Sequence, residues 1–455
     1  MRRILFLNIN FPPSTTIGTQ RIIRIAKYLD PLRWDIFVLT LKEKYYNQNN
    51  PASAIPASIS EVYRSGKIDP LGLLVRLRDA FKGQPKTGGA PRAGGQSAPV
   101  KPASNPGKPS LLRRIREKVV GMFEFPDKDV SWLPLAVLKG VYVILKHDID
   151  VIYSSSPSHS QHLVATWLKK LTGRKLVLDF RDPWARSPWL DEERSASASA
   201  KRKARRIQRL ERWVVSHADQ VVFVTRPMRD DFIAYYQDQP AGKFKLFYNG
   251  YDPDNIALPE QSGRKKKSRP FVLVHTGTLY KRRDPTPILE ALKKLLDEGK
   301  IKPGDVEFRF IGTITEELRH VPALVDEMGL KQIASFLPPV TYKESFQEMS
   351  RSDVLTLLQP ITRLQIPGKF FDYICFEKPL FAVCEPESAV EVLVKDHFGV
   401  VADINRVEDI ADKILQCREM QFSPERLREE REKFDMSKSI RIFDDILDSA
   451  IGSEK

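Results

Sequence analysis

Residues 269–292 read RPFVLVHTGTLYKRRDPTPILEAL, and the order of features in this stretch decides the fold class. Phe271 to His275 is an apolar run of strand length, and Thr276, Gly277 and Thr278 supply turn chemistry behind it. Pro285 then opens a pattern that sets Ile288, Leu289, Leu292, Leu295 and Leu296 on one helical face, with Asp284 placed to cap the N-terminus. A strand that enters a helix through a glycine turn can aim backbone N–H groups and the positive helix end at an anion. Lys281, Arg282 and Arg283 stand in that turn, where a diphosphate would need countercharge. A plain strand-to-helix loop with a solvated basic tip has the same composition, so the rest of the chain must discriminate.

Outward from this stretch the alternation repeats. Arg3 to Ile9 reads as a strand, Gly18 lies in the following loop where the missing side chain permits close ligand approach, and a helix is expected from Ile22 to Leu29 with Arg21 in its first turn. Further strands are expected at Ile36–Thr40, Ile59–Arg64, Val151–Tyr153, Lys175–Phe180, Val221–Val224 and Lys245–Tyr248. Beyond residue 270 they recur at Phe271–His275, Val306–Ile311, Ile333–Phe336, Val354–Leu358 and Leu380–Val383, with helices between. Strand and helix in succession mean parallel sheets, so the fold class is α/β with two Rossmann-like, doubly wound domains facing across a cleft. The expected division is an N-terminal domain over 1–252, a linker over 253–269, a C-terminal domain over 270–434 and a terminal helix within 435–455. Within the first domain, 83–110 is glycine, proline, alanine and serine without an apolar period, and is expected to be a disordered insertion. Arg181 and Asp182 follow the strand ending at Phe180; they either pair with each other or project from the carboxyl end of the sheet, where ligand groups gather.

The chain has 455 residues, 42% hydrophobic and 29% charged, enough for two or three domains with sizeable cores. No run approaches eighteen apolar residues, and Met1-Arg2-Arg3 leads straight into a strand; a cytoplasmic protein is expected. Cys375, Cys384 and Cys417 are odd in number and lack a CxxC, which argues against a disulfide framework or a zinc site. The formal charge of +15 falls almost entirely in 113–118, 201–212 and 264–269. Leu111 to Glu124, LLRRIREKVVGMFE, has the spacing of a basic amphipathic helix suited either to an anionic membrane surface or to packing on its own domain. Lys201 to Arg209 lacks interleaved aromatic residues, so a nucleic-acid partner is not expected. Asp148–Asp150 and Asp252–Asp254 match the spacing of metal-holding carboxylate pairs, but the first precedes a strand and the second begins the linker.

The segments FPPSTTIGTQRIIRIAKYL, DVIYSSSPSHSQHLVATWL, LVLDFRDPW, ADQVVFVT, NGYD, HTGTLYKRRDP and IPGKFFDYICFEKP follow one another along the chain. Together they resemble the family 4 glycosyltransferases of the GT-B fold, over nearly the whole chain apart from the low-complexity insertion. The resemblance implies a retaining transfer from a nucleotide-sugar donor, held mainly by the C-terminal domain, to a glycan or lipid-linked saccharide held mainly by the N-terminal one. It implies cell-surface polysaccharide biosynthesis, peripheral attachment at the inner face of the cytoplasmic membrane, no metal, and a last helix that crosses back to the N-terminal domain.

Carried over to this sequence, Arg283 and Lys369 would stabilise the leaving diphosphate, with Asp182 as a further catalytic position. Gly18, Arg21, Asn249, Gly277, Arg282, Pro367 and Asp372 would hold the donor, and Ser155, His159 and Arg181 would lie on the acceptor side. Two positions depart from the family pattern: Leu364 stands where a glutamate would bind sugar hydroxyls, and Ser155 near where a histidine is usual. Asp372 replaces a longer glutamate. The rival readings are a GT-B sugar-nucleotide epimerase, which needs an acid and base pair not assignable here, and a non-catalytic binder of an anionic polymer.

Overall fold

The computed structural model describes residues 1–14, 17–46, 54–68, 125–188, 190, 197–256, 270–395 and 397–452. The insertion at 83–110, the basic amphipathic stretch at 111–124 and the linker beyond residue 256 lie outside them.

The described chain forms two wholly parallel sheets. The first comprises β1 (Arg2–Leu7), β2 (Trp34–Leu41), β3 (Ile59–Ser65), β4 (Val151–Ser155), β5 (Lys175–Phe180), β6 (Gln220–Phe223) and β7 (Phe244–Leu246), in the order β3-β2-β1-β4-β5-β6-β7. The second comprises β8 (Phe271–Thr276), β9 (Val306–Ile311), β10 (Ala334–Leu337), β11 (Val354–Gln359), β12 (Leu380–Cys384) and β13 (Gly399–Asp403), in the order β10-β9-β8-β11-β12-β13. In each sheet the order reverses beside the first strand, β1 or β8, which is where doubly wound sheets open a ligand crevice at the strands' carboxyl ends. Central strands such as β1, β4 and β11 are near-continuous apolar runs because helices cover both their faces. Sequence reading omits β13, GVVAD: it is a short edge strand that alternates buried and half-buried residues, so it lacks the apolar run that marks the inner strands.

The helix after β1 runs from Ile17 to Tyr28, so it begins upstream of the expected Ile22 and takes Gly18 out of the loop and into its first turn. The last helix, Met436–Ile451, crosses back and buries Met436, Ile440, Phe443, Ile446, Leu447 and Ala450 against the N-terminal sheet. Its path returns beside the first crossing: Tyr251 N–H donates to Phe434 O (3.0 Å) and Met436 N–H to Tyr251 O (3.1 Å). A Cβ on Gly250 would sit 2.3 Å from Phe434 O. The glycine of NGYD is therefore required where the two chain crossings touch.

Candidate active site

The end of β8 and the short helix Lys369–Tyr373 build the cationic corner. His275, buried at the end of β8, donates from Nδ1 to Thr356 O (3.0 Å); a carbonyl can only accept, so Nε2 carries the lone pair. Lys369 Nζ donates to that Nε2 at 3.3 Å and to Thr276 O. A Cβ on Gly277, whose φ is +120°, would meet Lys369 Nζ at 2.7 Å, so the turn glycine is what lets the ammonium lie across the strand end. Arg283 Nη2 donates to Gln359 Oε1 (2.7 Å) at the end of the adjacent strand β11, while its buried Nε–H finds no acceptor among the described residues. Burial and the Arg283 charge push the Lys369 ammonium down to about 7, and burial with both cations holds His275 neutral. Among the described residues neither Lys369 nor Arg283 has a carboxylate partner within 4.0 Å; two cations held together without a counter-ion form a site for an anion.

The backbone around the glycine turn behaves differently from the expectation. Thr276 N–H donates to the Tyr373 hydroxyl (2.9 Å), Gly277 N–H to Ile311 O (2.8 Å) and Leu279 N–H to Thr313 O (2.8 Å). The helix Thr286–Asp297 has its first N–H taken by Asp284 Oδ1 at 2.9 Å. These amides are committed within the fold, so the countercharge comes from side chains. Arg282 is half-buried beside Arg283, and the Pro367 carbonyl accepts from Phe370 N–H (3.0 Å) to open the helix bearing Lys369. Asp372, one turn on from Lys369, takes a long bond from the Tyr342 hydroxyl (3.4 Å); burial raises its pKa, against the opposing charges of Arg24 and Lys369. Sequence reading missed His275, Gln359 and Tyr373, because a lone histidine or glutamine at a strand end has no pattern that separates it from core packing.

Three expected ligand residues have structural employment instead. Arg21 is buried and pairs with Asp179 of β5 at 2.8 Å, and its remaining N–H groups reach Phe247 O, Tyr248 O and Asn249 Oδ1. Asp179 also accepts from the Tyr153 and Ser155 hydroxyls. A carboxylate inside an apolar strand must be paired and fully hydrogen-bonded. Arg21, Asn249 and Ser155 complete that network, which commits these polar groups within the fold; the aspartate within LVLDF was the signal. Gly18, within its helix, accepts from Asn8 Nδ2 at 3.4 Å. The two candidate metal pairs are likewise engaged: Asp150 accepts from Arg3 N–H, Asp148 pairs with Arg174, and Asp252 and Asp254 hold Lys27 and Tyr28.

On the opposite wall, Arg181 donates to Ser156 O and makes no ion pair with Asp182. His159 stacks on Trp184 (centroids 4.9 Å apart), and its Nε2 lies 3.3 Å from Asp182 O. Gln365, from the loop that delivers Lys369, donates across the cleft to Asp182 Oδ1. His159, Asp182, Trp184 and Gln365 together line a cavity of about 330 Å³. The same loop explains the departure at Leu364: its side chain packs on the N-terminal core, and its carbonyl accepts from Thr225 Oγ1 at 2.8 Å. The position has become an interdomain contact.

Behind this wall, Glu211 is fully buried and accepts from Ala185 N–H and from the Tyr236 hydroxyl, both at 2.7 Å, which anchors the segment following Asp182. Burial raises its carboxyl to about 7. The folded state thus retains a proton that the unfolded chain releases, and stability contributed by the neutral acid is present below the ordinary carboxylate pKa and lost as pH rises through about 7. Glu211→Gln, which mimics the protonated acid, is expected to remain more stable than wild type by roughly 3 kcal/mol above pH 8, with the gap closing below pH 5. Denaturant titrations of both proteins across this range check it; a constant gap would mean that Glu211 is ionised throughout.

Two parallel doubly wound sheets facing across a cleft, with a cationic corner at one side and a small cavity at the other, define the GT-B architecture. Residues 93–255 match the family model described as Glycosyltransferase Family 4. Among solved structures the chain is similar to Anabaena HepE in complex with UDP (17% identity, 99% of this chain and 100% of that one, TM-score 0.59). It is also similar to the lipopolysaccharide outer core galactosyltransferase WaaB in its apo form (12%, 98% and 99%, 0.59) and to a glycosyltransferase from Rickettsia africae ESF-5 (12%, 100% and 99%, 0.58). At these identities the likeness is one of fold. No curated relative matches the sequence.

Proposed function

We propose that the protein transfers a sugar, with retention of configuration, from a nucleoside-diphosphate sugar to a glycan or lipid-linked saccharide of the cell surface. The observation that carries this reading is the pairing of Lys369 and Arg283 at the end of β8 with no carboxylate within 4.0 Å among the described residues. As the sugar–phosphate bond breaks, negative charge grows on the departing diphosphate; the ammonium and guanidinium stabilise that charge without forming a covalent bond to it. His275 and Gln359 hold the two cations in place, so little reorganisation is needed during the reaction. Asp182, His159 and Gln365 take the acceptor side. HepE, whose structure holds UDP, makes uridine nucleotides the first choice of donor. The paired cations do the work a metal does elsewhere, whereas the epimerase alternative would require an acid and base pair facing the corner.

The test is thermal stabilisation by UDP-, GDP-, ADP- and CMP-sugars, with and without EDTA. One nucleoside diphosphate class is expected to stabilise the protein by about 2.7 kcal/mol at a hundredfold excess over its Kd, equally in EDTA. Stabilisation only by polyanions in general would instead support the anionic-polymer binder. An acceptor screen with the selected donor, read by the anomeric configuration of the product, then tests retention.

A further inference from the structure

The helices Leu133–His147 and Ser160–Thr172 lie side by side over one face of the N-terminal sheet. They cross closely: a Cβ on Gly140 of the first would strike the Leu168 side chain of the second at 2.7 Å. Their inner faces, including Ala136, Val143, Ile144, Val164 and Leu168, are fully buried. A helix covering a soluble core ordinarily turns a polar face outward. Here the outward face is apolar: Leu138 is 70% exposed, Leu145 68%, Tyr142 51% and Leu171 59%, with Leu135 and Trp167 beside them. By length and composition 130–147 could cross a membrane, but its inner face is part of the core, so it can only lie on one.

Cations predominate around the patch, although Lys146 lies 3.6 Å from the exposed Glu61 and Lys169 pairs with Asp219. Neither helix contains an Asp or Glu, while Lys139, Lys146, Lys169 and Lys170 lie along them. Lys139 Nζ sits 4.9 Å from the Tyr142 ring, an arrangement in which the stem covers apolar surface and the ammonium reaches outward. The neighbouring helix Ala198–His217 joins the patch through Trp213, whose ring centroid is 5.6 Å from that of Trp167. It exposes Arg202, Arg205 and Arg209, and its single carboxylate, Glu211, is buried.

From this arrangement we propose that the outer face of these three helices docks on an anionic lipid surface. Leucines, tyrosine and tryptophan enter the acyl boundary, and the arginines and lysines meet lipid phosphates. A second copy of the chain would set these cations against their own kind, which disfavours self-association through the same face. The site is distinct from the stretch 111–124 and from the sugar-transfer cleft, so its test needs no substrate.

The experiment is sedimentation of the full chain with vesicles of phosphatidylglycerol and phosphatidylcholine, or of phosphatidylcholine alone. The protein is expected to pellet with the anionic vesicles, less so at high salt. Leu138→Glu combined with Leu145→Glu should weaken pelleting by roughly tenfold or more. Arg202→Gln, Arg205→Gln and Arg209→Gln together should remove the preference for anionic lipid. The leucine substitutions are at exposed positions, and unchanged melting temperatures establish that the variants fold. Undiminished pelleting of the leucine variant, equal binding to both vesicle types, or a lipid-free dimer that the leucine variant abolishes would each overturn the proposal.

Discussion

Replacing Lys369 with alanine is expected to lower the transfer rate by about 10²–10³-fold, with the folded structure retained. Lys369 lies beside Arg283 without a carboxylate partner, and burial and that neighbour hold its ammonium at about 7 in the ligand-free site. A diphosphate would reverse the balance by favouring the charged form, so donor binding must take up a proton wherever the free lysine is neutral. The sign follows: for a nucleoside-diphosphate sugar, whose doubly esterified diphosphate does not titrate near neutrality, the Kd should be flat below pH 7 and should rise above it, approaching tenfold per pH unit. In Lys369→Met, which keeps the stem and loses the charge, affinity should be weaker and independent of pH over the same range. Calorimetry in buffers of different ionisation enthalpy reads the proton uptake directly. A pH-independent Kd in the wild type, or equal rates for wild type and Lys369→Ala, would remove Lys369 from the donor site.

Phe443→Ala is expected to destabilise the protein by about 3–5 kcal/mol. The ring is fully buried on the last helix, edge-on to Tyr153 at 5.0 Å and tilted against Phe247 at 5.3 Å. It fills the space between the returning helix and the N-terminal sheet. Tyr153 also donates to Asp179, so the cavity would open beside the buried ion pair with Arg21. Urea titration of the variant should show a lowered midpoint in the transition that includes the N-terminal domain. An unchanged midpoint would mean that the helix adds little to that domain, and that residues after Asp435 are dispensable for stability.

Much of the fold was legible because its signals are local. The apolar runs of β1, β4, β5, β8 and β11 and the helical period after Pro285 come from residues near one another in the chain, and parallel pairing follows from their alternation. The edge strand β13 was not legible, since half of its side chains stay partly exposed. In the site, Arg283 stood out as a basic residue in the turn after a strand, and Lys369 stood out through the family resemblance. Their partners did not, because His275, Gln359 and Tyr373 acquire meaning only when separate strands bring their ends together.

The same distinction separates Arg21 from Arg283. Both are arginines near the start of a helix following a strand, and both resemble anion ligands on paper. Asp179 pairs with one, and among the described residues no carboxylate lies within 4.0 Å of the other's guanidinium. The amino-acid sequence alone determined two doubly wound α/β domains, the positions of their turns and the identity of the cations, because propensity and periodicity act over a few residues. Only the tertiary structure decided which cations are neutralised within the protein and which remain available to a ligand, because desolvation and pairing depend on groups hundreds of residues apart in the chain.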